Sequence, residues 1–220
     1  HCISLEYDEE GFSYPKVDTT KCINCGLCEK KCPMLHTEED KKIEPTAYAV
    51  NNKDEEVRWT SSSGGIFHAA AKEIIKEGGV VFGSALVDGG RRAEHKWVEK
   101  EADLAALRGS KYIQSAILNS YSEAKQFLIS GRKVLFTGTP CQIAGLTSFL
   151  GKEYNNLYMQ DLICHGVPSN AVWKKYLEYR RVLDNDAPND IFFRDKENGW
   201  RDYEVKFEYS NKNVSINHKE

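Results

Sequence analysis

The chain has 220 residues, 40% apolar, 11% aromatic and 29% charged, enough for one ordinary domain plus a small module, which excludes disorder as its main state. No apolar run approaches the roughly eighteen residues needed to cross a bilayer as a helix, so no membrane span is expected. A formal charge of −3 gives no basic field for a phosphate backbone, so no nucleic-acid partner is expected either.

Seven cysteines, an odd number with no secretory segment ahead of the first, fit a reducing, cytoplasmic setting better than a disulfide framework. Residues 1–45 carry ten acidic and six basic side chains, a net −4 that leaves +1 for the rest. Within them, Cys22-Ile23-Asn24-Cys25-Gly26-Leu27-Cys28-Glu29-Lys30-Lys31-Cys32-Pro33 has the spacing C-x2-C-x2-C-x3-C-P. Three thiolates two residues apart wrap one face of a cubane, and the fourth, ahead of a chain-turning proline, is directed elsewhere. Zinc modules usually carry two separated pairs, so an iron-sulfur cluster is the better reading. The charged, aperiodic stretch Leu35 to Pro45 reads as a linker, with a domain boundary near Pro45.

Beyond it, helix and strand alternate. Ser61, Ser62 and Ser63 offer N-caps to a helix carrying Ile66, Phe67, Ala70, Ala71, Ile74 and Ile75, and Gly78 stops it. Val80 to Val87 reads as a buried strand. Ser120 caps a helix with Tyr121, Ala124, Phe127 and Leu128, closed by Gly131 ahead of a strand at Lys133 to Thr137. A helix from Pro140 to Leu150, a strand at Leu157 to Ile163, and a helix opened by Pro168 with Val172, Tyr176 and Leu177 on one face follow. Strand–helix–strand units with short joints are parallel and right-handed. Tyr203, Val205, Phe207 and Tyr209 then alternate with charges, a strand with one wet face.

Two strand-to-helix joints carry chemistry. Gly138-Thr139-Pro140-Cys141-Gln142 and Asp161-Leu162-Ile163-Cys164-His165-Gly166-Val167-Pro168 fall where open α/β sheets bind ligands, so Cys141 and Cys164 are expected to face one site. Taken singly, each has a bland reading: a core cysteine, a loop histidine, an ordinary helix start. Ser61 to Gly65 resembles a phosphate cradle, against the commoner N-cap, and Arg108-Gly109-Ser110-Lys111-Tyr112 is a candidate anion contact or a solvated loop.

Residues 1–34 resemble the second half of a bacterial two-cluster ferredoxin. That resemblance implies pairing of Ile3 to Asp8 with Phe12 to Pro15 across Asp8-Glu9-Glu10-Gly11. It also implies that Cys32 ligates a different cluster from Cys22, Cys25 and Cys28, and leaves Cys2 as a packing residue. A first cysteine motif is then expected before His1, in a chain read as a window cut from a longer protein.

The segments Ser61 to Phe67, Leu107 to Tyr112, Phe136 to Leu146, Asp161 to Pro168 and Phe193-Arg194-Asp195-Lys196 together resemble the coenzyme F-420 hydrogenase/dehydrogenase beta subunit family. The resemblance implies an iron-sulfur flavoprotein oxidoreductase subunit with 4Fe-4S clusters and FAD. Ser62, Ser63, Gly64, Gly65, Lys111, Thr137, Gly138 and Thr139 become candidates for flavin contact. Cys141 and Cys164 become candidate ligands of a further cluster, beside Cys22, Cys25, Cys28 and Cys32.

The expected fold is an α+β ferredoxin-like module (1–36) followed by an α/β domain with a mostly parallel sheet and a β-rich C-terminal part. A flavin-binding region at 46–103 is followed by the family's C-terminal domain at 104–220. Electrons would hop singly through the cluster, pair at FAD and pass as a hydride equivalent to a soluble acceptor, with His165 as proton donor or acceptor and a redox protein or subunit as partner. A non-catalytic electron-transfer adaptor is the alternative. A Cys141 or Cys164 thiol nucleophile is the third reading.

Overall fold

A computed structural model describes residues 2–32, 35 and 44–217. It divides into two compact units, 1–49 and 50–220, each taken here by itself.

In the first, β1 (Ile3–Tyr7) pairs antiparallel with β2 (Ser13–Val17), Ile3 opposite Val17 and Tyr7 opposite Ser13. The connection is the turn expected from the ferredoxin resemblance. Asp8 Oδ1 accepts the N–H groups of Glu10 at 3.1 Å and Phe12 at 2.8 Å, and Gly11 supplies a φ of 84° that a residue with a Cβ rarely adopts. α1 (Leu27–Lys31) follows. The stretch read as a linker lies for the most part outside the described residues.

The second unit runs α2 (Glu55–Thr60), α3 (Ile66–Lys76), β3 (Val80–Val87), β4 (Arg92–Val98), a 3-10 helix (Glu101–Leu107), β5 (Ser115–Ala116), α4 (Ser120–Ile129), β6 (Val134–Gly138), α5 (Pro140–Leu150), β7 (Leu157–Asp161), α6 (Asn170–Asp184), β8 (Asp190–Asp195), β9 (Glu204–Glu208) and β10 (Asn213–Asn217). A five-stranded sheet has the order β5-β4-β3-β6-β7, in which every pairing except β3 with β4 is parallel. β10, β9 and β8 form a separate antiparallel sheet. The mixed, mostly parallel sheet and the β-rich C-terminal part are thus as the sequence led us to expect. Segments 46–103 and 104–220 both contribute strands to the larger sheet.

Strand alternation sets the layers. Val80, Phe82, Val134 and Phe136 pack on Ala124 and Leu128 of α4 and Leu146 and Leu150 of α5. Their neighbours Val81, Ala85 and Leu135 face the other way, onto Ala71 and Ile74 of α3 and Leu104 and Leu107 of the 3-10 helix. Trp173 and Leu177 of α6 pack on Ile191, Phe193 and Phe207 of the smaller sheet.

Three local readings are corrected. The N-cap of α3 is Gly65 at φ 75°, not a serine; Ser61 instead ends α2, its hydroxyl donating to Val57 O at 2.6 Å. Ser120 is the first residue of α4, after the N-cap Asn119, and its hydroxyl donates to His95 O at 3.1 Å. On α6 the buried face is Trp173, Leu177 and Arg180, while Val172 is exposed, because the smaller sheet meets the helix one residue further round.

Candidate functional site

The cysteine loop is delivered by a turn at Asp18. Its carboxylate accepts from the Thr20 N–H at 3.0 Å and hydroxyl at 2.6 Å and pairs with Lys21 at 2.9 Å, and its backbone C=O accepts from Cys22 N–H at 3.1 Å. The Lys21 ammonium and the Thr20 donors hold the Asp18 carboxyl below the usual range. Asn24 (φ 54°) and Gly26 (φ 66°) are both left-handed, which folds the chain back between successive cysteines.

Cys22, Cys25, Cys28 and Cys32 are all free thiols at exposed or half-exposed positions, with Cys22 Sγ donating weakly to Asn24 Oδ1 at 3.6 Å. They are not gathered into a ready-made site: among the described residues no three His, Cys, Asp or Glu side chains converge for a metal. The donor set still fits an iron-sulfur cluster, since unpaired, accessible thiols on a short left-handed loop are free to close around one as it binds.

In the second unit the serine-glycine loop, Ser61 to Gly65, is held from three sides. Gly64 packs on the start of the unit, where a Cβ would stand 2.8 Å from Val50 O, and Asn52 N–H donates to Gly64 O at 2.6 Å. Ser62 accepts from Ser110 Oγ at 2.7 Å, which joins the loop to Arg108-Gly109-Ser110-Lys111. From the smaller sheet Lys196, 4% exposed, donates to Ser61 O and, at 3.3 Å, to Arg58 O, with its ammonium 3.7 Å from the Trp200 ring centre and 5.6 Å from that of Trp59. Burial and the nearby Arg194 lower the Lys196 pKa. Lys111 donates to Arg108 O at 2.7 Å and Ala106 O at 3.3 Å, and burial brings its pKa down to about 8.

A second network sits at the C-terminal end of β6. His95 Nε2 lies 3.0 Å from Thr137 O and Nδ1 2.8 Å from Ser115 Oγ. A carbonyl can only accept, so Nε2 carries the proton and Nδ1 accepts the serine hydroxyl. Ser115 O accepts from Gln142 Nε2 at 3.2 Å, and Gln142 Oε1 accepts Thr139 N–H at 3.0 Å. The ring stacks on Phe136, 5.5 Å between centres, and burial pushes its pKa down.

His95 and Lys196 were not among the candidate site residues of the sequence. His95 was findable, since it falls in phase with Ala93 on one face of β4. Strand alternation gave no signal for Lys196, which follows β8 out of phase, although it closes the segment Phe193 to Lys196 that carries part of the family resemblance.

The candidate residues thus fall into groups. Ser62, Gly64, Gly65 and Lys111 are brought together by the Ser62–Ser110 bond, with Ser63 exposed beside them. Thr137, Gly138 and Thr139 already have internal partners: Thr137 Oγ1 donates to Phe82 O at 2.8 Å, a Cβ on Gly138 would stand 2.9 Å from Gln142 Oε1, and Thr139 N–H is taken by Gln142.

Cys141 and Cys164 are exposed at the joints after the adjacent strands β6 and β7, which Leu162 N–H links by donating to Gly138 O at 3.2 Å. Cys141 Sγ lies 3.0 Å from Thr139 Oγ1, and Cys164 Sγ accepts from Gly166 N–H at 3.4 Å. His165 is exposed on the same loop, beyond the end of β7. Pockets of about 290 Å³ between Asp88 and Arg181 and about 320 Å³ around Trp97 and Asn119 are lined by none of these candidates.

The fit to a flavin dinucleotide is therefore uneven. The serine-glycine loop and its cations suit an anionic diphosphate, whereas the β6–α5 joint has its donors satisfied within the chain.

Comparison with known proteins bears on both units. Residues 131–220 match the family model for the C terminus of the coenzyme F420 hydrogenase/dehydrogenase beta subunit, and residues 18–77 match a 4Fe-4S dicluster domain. Past Cys32 the second match contains no cysteine. No curated protein matches the chain. Among solved structures, a chain from a xenon-derivatized F420-reducing (NiFe) hydrogenase complex of Methanosarcina barkeri superposes with a TM-score of 0.51 at 17% identity, over 77% of this chain and 59% of that one. At that identity the likeness is one of fold.

Proposed function

Since residues 131–220 match the model for the C terminus of the coenzyme F420 hydrogenase/dehydrogenase beta subunit and residues 18–77 match a 4Fe-4S dicluster domain, we propose that the protein is an iron-sulfur flavoprotein subunit passing electrons between 4Fe-4S clusters and FAD. In this reading Cys22, Cys25 and Cys28 hold a cluster that moves single electrons, and Cys32 serves a neighbouring one. Cys141 and Cys164 are candidate ligands of a further cluster. FAD, when bound, supplies the exchange between one-electron and two-electron steps.

The chain's own work is to bind and orient. Ser62, Ser63, Gly64 and Gly65 receive the diphosphate, and the Lys111 ammonium offsets its charge. Thr137, Gly138 and Thr139, fixed from behind by His95 and Gln142, form the floor at the end of β6. His165, exposed on the next loop, is placed to exchange a proton with solvent. The path is completed by a soluble acceptor and by a redox protein or subunit as partner, in keeping with the fold likeness to a chain of a hydrogenase complex.

The observation that carries the flavin half is the serine-glycine loop edged by Arg108, Lys111 and Lys196, none of them paired with a carboxylate among the described residues. The engaged donors of Thr137 and Thr139 favour a second reading, an electron-transfer adaptor without flavin. Anaerobic purification separates the two. A flavin released on denaturation, with a cluster spectrum and iron content that Cys25→Ser diminishes, is the expected result, and a cluster without flavin overturns the first reading in favour of the adaptor.

A further inference from the structure

α3 is eleven residues long and starts at the left-handed Gly65, which has no side chain to cap it. Its first backward hydrogen bond is Ala69 N–H to Gly65 O, so the N–H groups of Ile66, Phe67 and His68 have no acceptor among the described residues. Such an end attracts an anion but does not by itself make a site.

The second observation is His68. The side chain is 8% exposed, and its Nδ1 is buried without a hydrogen-bond partner. Leaving a buried polar atom unpaired costs free energy, which a native fold normally avoids unless a ligand supplies the partner. Helical side chains lean toward the N-terminus, and His68 is the third residue of α3, so its Cβ is directed toward the open first turn. It also ends the buried stripe His68, Ala71, Ile74, and Arg108, which acts on it electrostatically, lies two residues before the Ser110 that bonds Ser62.

The charged groups that face His68 are Arg108 and Glu101 from the 3-10 helix and the residue after it, Lys72 on α3, and Asp54 from the N-cap of α2. Glu101 pairs with Lys72 at 2.5 Å and Asp54 accepts Val57 N–H at 3.1 Å, and neither carboxylate is hydrogen-bonded to Nδ1. Burial and Arg108 lower the His68 pKa, so the ring is neutral until an anion arrives.

We propose that His68 is a binding residue for an anionic phosphate or diphosphate group seated on the free N–H groups of Ile66, Phe67 and His68, with Nδ1 donating to a phosphoryl oxygen. Naming FAD as the carrier of that group rests on the flavin reading; the anion site itself does not.

The test titrates the full chain with inorganic pyrophosphate and, separately, with FAD, following the His68 ring proton by NMR, assigned by its absence from His68→Asn, and the heat of binding. Pyrophosphate is expected to raise the His68 pKa. His68→Leu is expected to weaken both ligands about tenfold, and His68→Asn, which keeps an amide at the position of Nδ1, to recover most of that.

A His68 signal unmoved at saturating pyrophosphate overturns the proposal, as does His68→Leu binding both ligands like the wild type. Should His68→Leu fail to fold, the wild-type titration decides alone. FAD bound with His68 unmoved overturns this inference and leaves the flavin reading standing. Pyrophosphate bound with a shifted His68 but no FAD binding supports this inference and overturns the flavin reading; no binding of either overturns both.

Discussion

Lys196 is a buried cation whose partners are two carbonyls and two indole rings rather than a carboxylate. Its ammonium ties Ser61 to the smaller sheet and keeps positive charge beside the serine-glycine loop. Lys196→Met keeps the stem and removes the donors, and is expected to lower unfolding free energy by about 1–3 kcal/mol in urea titrations. Retention of full stability in that variant would show that Lys196 does not anchor the loop.

His95 gives a pH dependence whose sign is fixed by its burial. In the unfolded chain the imidazole titrates near 6.5, and in the fold it titrates lower. Above 6.5 both states are neutral; as pH falls below it the unfolded chain binds the proton first, so stability drops until the folded ring also titrates. His68 acts in the same direction. Thermal melts should therefore decline as pH falls through 6.5, and His95→Gln should make that decline shallower while leaving the rise above about pH 8 that the depressed Lys111 pKa brings. An unchanged slope would mean that His95 is not buried as described.

At the level of elements, α6 shows which features were legible and which were not. Its start was legible to within two residues: Pro168 was expected in the first turn, and the helix begins at Asn170 after the N-cap Ser169, whose Oγ accepts Val172 N–H at 3.3 Å. Its buried face was legible in part: Tyr176 and Leu177 pack on the smaller sheet as read, but exposed Val172, Tyr179, Val182 and Leu183 offer apolar positions that compete with Trp173 and Arg180. Tertiary contact chose between them: Trp173 Nε1 donates to Gly90 O at 3.0 Å and packs on Phe193, 5.2 Å between ring centres. Trp173→Ala should cost about 3–5 kcal/mol by denaturant melt, whereas Val172→Ser should stay within about 0.5 kcal/mol.

β3, β6 and α5 were legible for the opposite reason. Continuous apolar runs bounded by Gly79, Gly131, Pro140 and Gly151 leave no competing period. The N-cap of α3 was misread because three serines outscore a glycine, while the approach of Gly64 to Val50 O fixes a backbone that the pattern of side chains does not encode. Likewise the cysteine spacing announced a cluster, but the internal satisfaction of Thr137 to Thr139 depends on His95 and Gln142 meeting across the sheet.

For the molecule as a whole, the two units differ in what holds them. The second has three apolar clusters of its own. In the first, every described residue of β1 and β2 is exposed or half-exposed, and Leu5, Tyr7, Tyr14 and Ile23 face solvent. A two-stranded hairpin is marginal by itself, so cluster ligation is expected to supply much of its order. A chain beginning at Val50 should keep a single cooperative melt, and removing iron from the full chain should abolish hydrogen-exchange protection in residues 2–32 while leaving 50–217 protected. Loss of protection throughout would show that the second unit depends on the first.

The lysine that secures the serine-glycine loop is encoded 135 positions after Ser61. At the pace of synthesis, about 5–20 residues per second, the loop leaves the ribosome roughly 7–27 s before Lys196 exists to hold it. The cradle is thus completed late, after its own strand neighbours have formed. A cofactor that needs the finished loop is loaded only once Lys196 has emerged, and a chain interrupted before Lys196 carries the loop without its anchor.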